Sequence, residues 1–290
     1  MRLSTVILPL ERWPQSQEKW RRAEELGFFA AYTYDHLSWG RLQDRPWFGA
    51  VPTLTAAALA TSTIHLGTLV TTPNFRHPVP LAKDLLSLDD ISDGRLIIGI
   101  GSGGLGNDAT VLGMEEWSAR ERMDRFVNFI ELLDELLSQP LTTKTCPFYS
   151  AVDARTLPGT VQKPRPPFCV AAAGTRGLGI VARYGQGWVS TGLSANRDQP
   201  CFDAISAQLA RLQMALDEVS RPLESIERVL LDGLNNERPL VSVDAFVDWA
   251  GRYAALGITE LVIHWPEPDS LFDFDMTTFE TIATEGLAQL

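Results

Sequence analysis

The chain has 290 residues, of which 45% are hydrophobic and 21% charged, and a formal net charge of −11. That balance excludes the clustered Lys and Arg with which proteins displace counterions from nucleic-acid phosphates, and it equally disfavours an anionic membrane surface. The apolar patch at residues 6–10 is interrupted by Pro9 and too short for a signal segment, and no run approaches the ~20 apolar residues of a membrane span. Cys146, Cys169 and Cys201 form no CxxC pair and no metal-ligand spacing. They read as reduced thiols, so a cytoplasmic protein is expected.

Short apolar runs of strand length alternate with amphipathic stretches of helix length, the pattern of a parallel sheet with crossover helices. Residues 4–9 read as a strand, 15–26 as a helix, and 29–34 as a second strand stopped by Asp35-His36. A helix at 52–60, a strand at 64–70 and a helix at 79–89 follow, and Asp93-Gly94 turns the chain into a strand at 96–100. Ser118 with Glu121 forms a capping box. It opens a helix whose Phe126, Ile130, Leu133 and Leu137 share one face. Residues 140–167 break the rhythm, since six prolines there forbid a regular helix. A long loop of this kind is usually functional or a lid. Strands at 168–173, 188–191, 226–231 and 258–264 then alternate with helices at 176–184, 202–219, 243–256 and 277–287. Eight strands and eight helices without a composition break predict a (β/α)8 TIM barrel. It would be one domain over residues 1–290, with a Pro-rich insertion between the helix of unit four and strand five.

In a barrel the chemistry sits at the C-terminal ends of the strands, so the residues just after each apolar run are the candidates. Asp35-His36 is one. A histidine there can exchange a proton near neutral pH with an aspartate to orient it, or the pair can simply close the strand. His77 lies beside Arg76, where two basic groups would hold an anion. His264 ends the last strand, and His65 within a strand reads as structural. No HxH or HExxH spacing supports a metal site. The Gly-rich run at 99–108 lacks the dinucleotide-binding spacing, but it lets a flat ligand approach the backbone. Gly174-Thr175-Arg176-Gly177 joins a strand to a helix, where backbone N–H groups bind phosphate. A plain N-cap by Thr175 is the rival reading. No GxSxG elbow or P-loop is present, and paired carboxylates are scarce at the rim. Such a rim suits a flat organic cofactor that carries the chemistry itself.

The stretches AEELGFFAAYTYDH (23–36), TSTIHLGTLVTTPNFRHPVPLAKDLLSLDDISDGRLIIGIGSG (61–103), ERMDRF (121–126), KPRPPFCVAAAGTRGLGIVARYGQGW (163–188) and LGITELVIHWP (256–266) carry a resemblance across nearly the whole chain. Together they resemble the luciferase-like flavin and deazaflavin (F420) oxidoreductases, a barrel family. The resemblance implies a bound F420 or FMN whose ring lies over the strand ends. It implies that Asp35 and His36 meet the cofactor, with His36 catalytic. Leu69 and Val70 correspond to a strand-end step that is often a non-prolyl cis bulge behind the ring. Thr72 and Asn107 correspond to polar cofactor contacts, and Gly174, Thr175, Arg176 and Gly177 to a phosphate-binding turn. One departure stands out: some F420 sugar-phosphate dehydrogenases of the family carry Glu where this chain has Gly104. The implied activity is hydride transfer between F420 and a small organic substrate. The alternatives are an FMN-dependent monooxygenase fed reduced flavin by a partner reductase, and a non-catalytic flavin-binding protein. Relatives are often homodimers, and the resemblance extends that expectation to this chain.

Overall fold

A computed structural model of the chain describes residues 1–104, 107–193, 199–235 and 237–289. The first half runs β1 (Arg2–Val6), α1 (Trp13–Glu25), β2 (Ala30–Thr33), α2 (Ala50–Ala60), β3 (His65–Thr71), α3 (Pro78–Ile91), β4 (Leu96–Gly101), α4 (Asn107–Val111) and α5 (Ala119–Ser138). A hairpin, β5 (Leu141–Thr145) and β6 (Ser150–Arg155), comes next. The second half runs β7 (Phe168–Ala171), α6 (Thr175–Tyr184), β8 (Gly187–Ser190), α7 (Cys201–Asp217), β9 (Glu227–Leu231), α8 (Val243–Ala255), β10 (Glu260–His264) and α9 (Met276–Thr281). The strand order is that of a closed parallel barrel, β1-β10-β9-β8-β7-β4-β3-β2, with β5 and β6 as a separate two-stranded sheet. The barrel strands are short and apolar because both of their faces are covered. Every residue of β4 and of β10 is buried.

The described chain divides into two compact units. The first comprises Met1–Leu8, Lys19–Tyr32 and Cys169–Leu290. Within it β1 pairs with β10 in parallel from Arg2↔Glu260 to Val6↔His264. Among its buried acids is Glu260, which accepts hydrogen bonds from Ser4 Oγ at 2.8 Å, Tyr32 OH at 3.1 Å and Arg2 Nη2 at 3.2 Å. Trp20, Trp188 and Trp249 are also buried in this unit.

The second unit comprises Pro9–Glu18 and Thr33–Phe168. It is built on the β3–β4 pair, whose register shifts between Thr68 and Thr71. Gly99 faces that irregularity, and a β-carbon there would collide with the Thr68 carbonyl oxygen and lie 3.2 Å from Leu69 Cα. In α5 the stripe Phe126, Ile130, Leu133 and Leu137 is buried as its spacing requires.

Four expectations need correction. Only half of the capping box forms: Ser118 Oγ accepts from Glu121 N at 3.2 Å, while the Glu121 carboxylate turns to Arg125 at 3.2 Å. The Pro-rich stretch is not all loop. Its first part pairs with itself as the β5–β6 hairpin, and its prolines lie outside those two strands, where no ladder N–H is needed. The short helix α4 interrupts the Gly-rich rim after β4. The closing helix is α-helical only to Thr281 and then widens into a π-turn, Ile282–Gly286.

Candidate functional site

The loops that follow β2, β3 and β4 belong to the second unit, and their residues frame a cavity of about 320 Å³. His36, Trp39, Asn74, Asn107 and Asp108 line it, with Arg41 and Gly104 also on its wall. That volume sits at the small end of ordinary ligand pockets.

Asp35 and His36 leave β2 with different tasks. The Asp35 side chain is 1% exposed and accepts from Arg76 Nη2 at 2.7 Å, Arg76 Nε at 3.1 Å and Thr71 Oγ1 at 2.7 Å. This forked ion pair ties the start of the β2 loop to the end of β3. Burial works against the Arg76 charge, but the hydrogen bonds and attraction of Asp35 outweigh it and raise the guanidinium pKa. Arg76 therefore already holds a carboxylate. His77 caps α3, its Nδ1 accepting from Val79 N at 3.2 Å, and burial lowers its pKa.

The His36 ring is held at Nδ1, 2.7 Å from Asp108 Oδ2. The other oxygen of Asp108 accepts the Leu37 N–H at 2.7 Å. The His36 carbonyl in turn accepts from Trp47 Nε1 at 2.9 Å. The Asp108 side chain is 1% exposed and that of His36 21%, so on the cavity wall the acid is almost wholly covered and the ring is the more open of the two. Among the described residues no hydrogen bond is made by His36 Nε2. Asp108 was not a sequence candidate, because the run after β4 was read for its glycines and no helix was expected there. Its place after a Gly-rich strand end was the available signal.

Asn74 stands in the rim run that follows β3, a candidate by position to which the sequence assigned no role. Its side chain is 5% exposed, and its Oδ1 has no hydrogen-bond partner among the described residues. Gly103, at φ 75°, lies so close that a β-carbon there would come within 2.8 Å of Asn74 Cγ. The glycine thus leaves room for an amide whose oxygen meets no donor among the described residues. An unmet buried acceptor costs roughly 1–3 kcal/mol, and a ligand N–H would relieve that cost.

The remaining candidates fall as follows. The Leu69–Val70 peptide is cis, and Leu69 is buried. Thr72 is buried and its Oγ1 accepts from Asn74 N at 3.3 Å, so it orients that amide's loop. Asn107 is half-buried on the cavity wall. Part of the same rim, residues 105 and 106, lies outside the described residues. In the first unit, α6 starts at Thr175 with Gly174 as its N-cap and no side-chain cap bond. Thr175 is thus inside the helix, which corrects the N-cap reading. The first N–H groups of α6 have no side-chain acceptor of their own at this cap. His264 is buried and stacked on Phe272 at 3.7 Å, and burial pushes its pKa down to about 3. Among the described residues no group of three His, Cys, Asp or Glu side chains is placed to hold a metal ion, and no helix is long and apolar enough to cross a membrane.

Fold and site together define a parallel α/β barrel whose strand-end loops frame a small-ligand cavity around a histidine–carboxylate pair. The sequence model for luciferase-like monooxygenases matches residues 4–231, and the chain belongs to that family. It is 32% identical over 177 residues to an F420-dependent glucose-6-phosphate dehydrogenase of Microbacterium testaceum, covering 58% of this chain and 50% of the relative. It is 34% identical over 178 residues to an F420-dependent hydroxymycolic acid dehydrogenase of Mycobacterium tuberculosis, covering 60% and 48%. The chain thus spans about half the length of these curated relatives. The fold matches the coenzyme F420-dependent tetrahydromethanopterin reductase of Methanopyrus kandleri with a TM-score of 0.78 at 18% identity, over 99% of each chain.

Proposed function

We propose that this chain is an F420-dependent oxidoreductase that transfers hydride between the deazaflavin and a small organic substrate, with His36 exchanging a proton with the substrate. The observation that carries the reading is the cavity wall itself. Among the described residues it combines a histidine whose Nε2 makes no hydrogen bond, a buried amide oxygen without a donor, and open space at Gly104. The F420-dependent relatives add support.

The residues fit the cofactor. A deazaflavin ring carries an imide N–H, the kind of donor that Asn74 Oδ1 lacks, and Asn107 offers a second amide beside it. Leu69 and Val70 would back the ring, and the Asp35–Arg76 pair would hold their loop in place. The N-terminus of α6 in the first unit, Gly174 to Gly177, is proposed to bind a phosphate. When bound, F420 supplies the hydride chemistry. The protein's share is to orient the substrate, exclude water and hold or return one proton at His36 Nε2.

The wall carries one carboxylate, Asp108, and it is engaged by His36 and Leu37. Gly104 has open space where some sugar-phosphate relatives have an acid. The substrate is therefore proposed only as a small organic molecule, and a sugar phosphate is not assigned. The family's description favours a second reading, an FMN-dependent monooxygenase supplied with reduced flavin by a partner reductase. Titrating the purified chain with F420 and with FMN, followed by fluorescence quenching, separates the two. Saturation by F420 at micromolar concentration is expected, and tight binding of FMN with none of F420 reverses the assignment.

A further inference from the structure

We infer that Asp108 is the positioning residue of His36. It decides which ring nitrogen carries the hydrogen and so leaves Nε2 as a bare proton acceptor facing the cavity. This rests on the proton role proposed for His36 above. The geometry is specific. Asp108 accepts two hydrogen bonds with separate oxygens, Oδ2 from His36 Nδ1 and Oδ1 from Leu37 N, both at 2.7 Å. A carboxylate has only acceptors to offer, so the hydrogen between Asp108 and the ring belongs to Nδ1. Neutral imidazole carries one N–H, and with Nδ1 holding it Nε2 is left with a lone pair.

Two further contacts hold His36, one at its backbone and one at its ring. Trp47 Nε1 donates to the His36 carbonyl at 2.9 Å, and Tyr34 packs edge-on to the ring at 6.1 Å between centroids. The Asp108 carboxylate is itself anchored by the Leu37 N–H, next in sequence to the histidine it orients. Ring and carboxylate therefore move as one assembly. In the substrate-oxidising direction Nε2 takes a proton. In the reducing direction the doubly protonated ring gives it back from the same atom.

Asp108→Asn is the informative change, because the amide is the same shape but has a single oxygen. The Leu37 N–H is a fixed donor, whereas the imidazole can change tautomer. The amide oxygen should therefore stay with Leu37, and its NH2 should donate to Nδ1. That moves the ring hydrogen to Nε2 and removes the acceptor from the cavity. The test is 15N NMR of histidine-labelled, cofactor-free protein, with steady-state kinetics beside it. The wild type should show a protonated Nδ1 and a bare Nε2, and D108N the reverse. In D108N kcat should fall by about 100-fold or more, with F420 affinity and substrate KM within about threefold of wild type. A wild-type ring protonated at Nε2 overturns the inference, and that measurement needs no variant to fold. Retention of the wild-type tautomer in folded D108N overturns it too. A reversed tautomer in D108N, with kcat undiminished both there and in His36→Ala, upholds Asp108's hold on the ring and removes the proton role of His36 instead.

Discussion

At the scale of single residues, the site departs from what stability alone would select. Asn74 keeps a buried oxygen without a donor among the described residues, at a cost that an apolar side chain would avoid. Asn74→Ala should therefore leave the melting temperature of the cofactor-free protein unchanged or raised. It should weaken F420 binding by about tenfold, one charge-free hydrogen bond's worth. Calorimetry and a binding titration on the same preparation check both halves. Asp232 is a second such residue, at the end of β9. It is 3% exposed, its Oδ1 has no partner among the described residues, and burial pushes its pKa up to about 7. A carboxyl whose folded pKa exceeds its unfolded value of about 4 favours the folded state at low pH, and that contribution is lost as pH rises through about 7. Asn cannot ionise. The stability of Asp232→Asn relative to wild type should thus climb between pH 4 and pH 8, by at most ~4 kcal/mol. Denaturant unfolding at the two pH values measures it, and a flat difference would falsify the account.

Among elements, legibility in the sequence tracked how local the cause was. β4 is apolar throughout, β10 has an apolar centre at residues 261–263, and α5 spells out its buried stripe, so each was readable from its own residues. Asp35-His36 was readable as a strand-end pair for the same reason. The β5–β6 hairpin was not, because its strands expose much of their surface and carry little apolar alternation. Asp108 was hidden differently. Its partner His36 lies 72 residues away, and no local pattern records which histidine a carboxylate will meet. Asn74 shows the limit again, since its lack of a donor is a property of its surroundings. The β3–β4 pair supplies the test at this scale. Gly99→Ala places a β-carbon against the Thr68 carbonyl, which has backbone rigidity behind it. A loss of about 1–3 kcal/mol in unfolding free energy is expected, the usual cost of overpacking. Gly104→Ala, where a β-carbon meets open space, should cost far less.

For the whole molecule, the alternation of two periodicities carried the barrel, and the closed strand order agrees with it. Function was less legible than fold, because a barrel supports many chemistries and only its rim distinguishes them. A ligand that binds only the folded chain raises its stability by about 2.7 kcal/mol at a hundredfold excess over Kd. For a chain of 290 residues that amounts to a rise of about 4 °C in Tm. F420 should produce that rise in differential scanning calorimetry, and FMN at the same concentration should produce less.

The Asp35–Arg76 fork and the His36–Asp108 pair have a consequence for anyone reshaping this protein. The segment after β2 is fastened to the segment after β3 through one pair and to the segment after β4 through the other. Loops of a barrel are commonly treated as exchangeable parts. Here three of them form a single module, and a graft that brings in a foreign β4 loop without an acid at position 108 would set the histidine adrift while leaving its own loop untouched. Transplanted specificity would then fail for a reason visible only in the residues left behind.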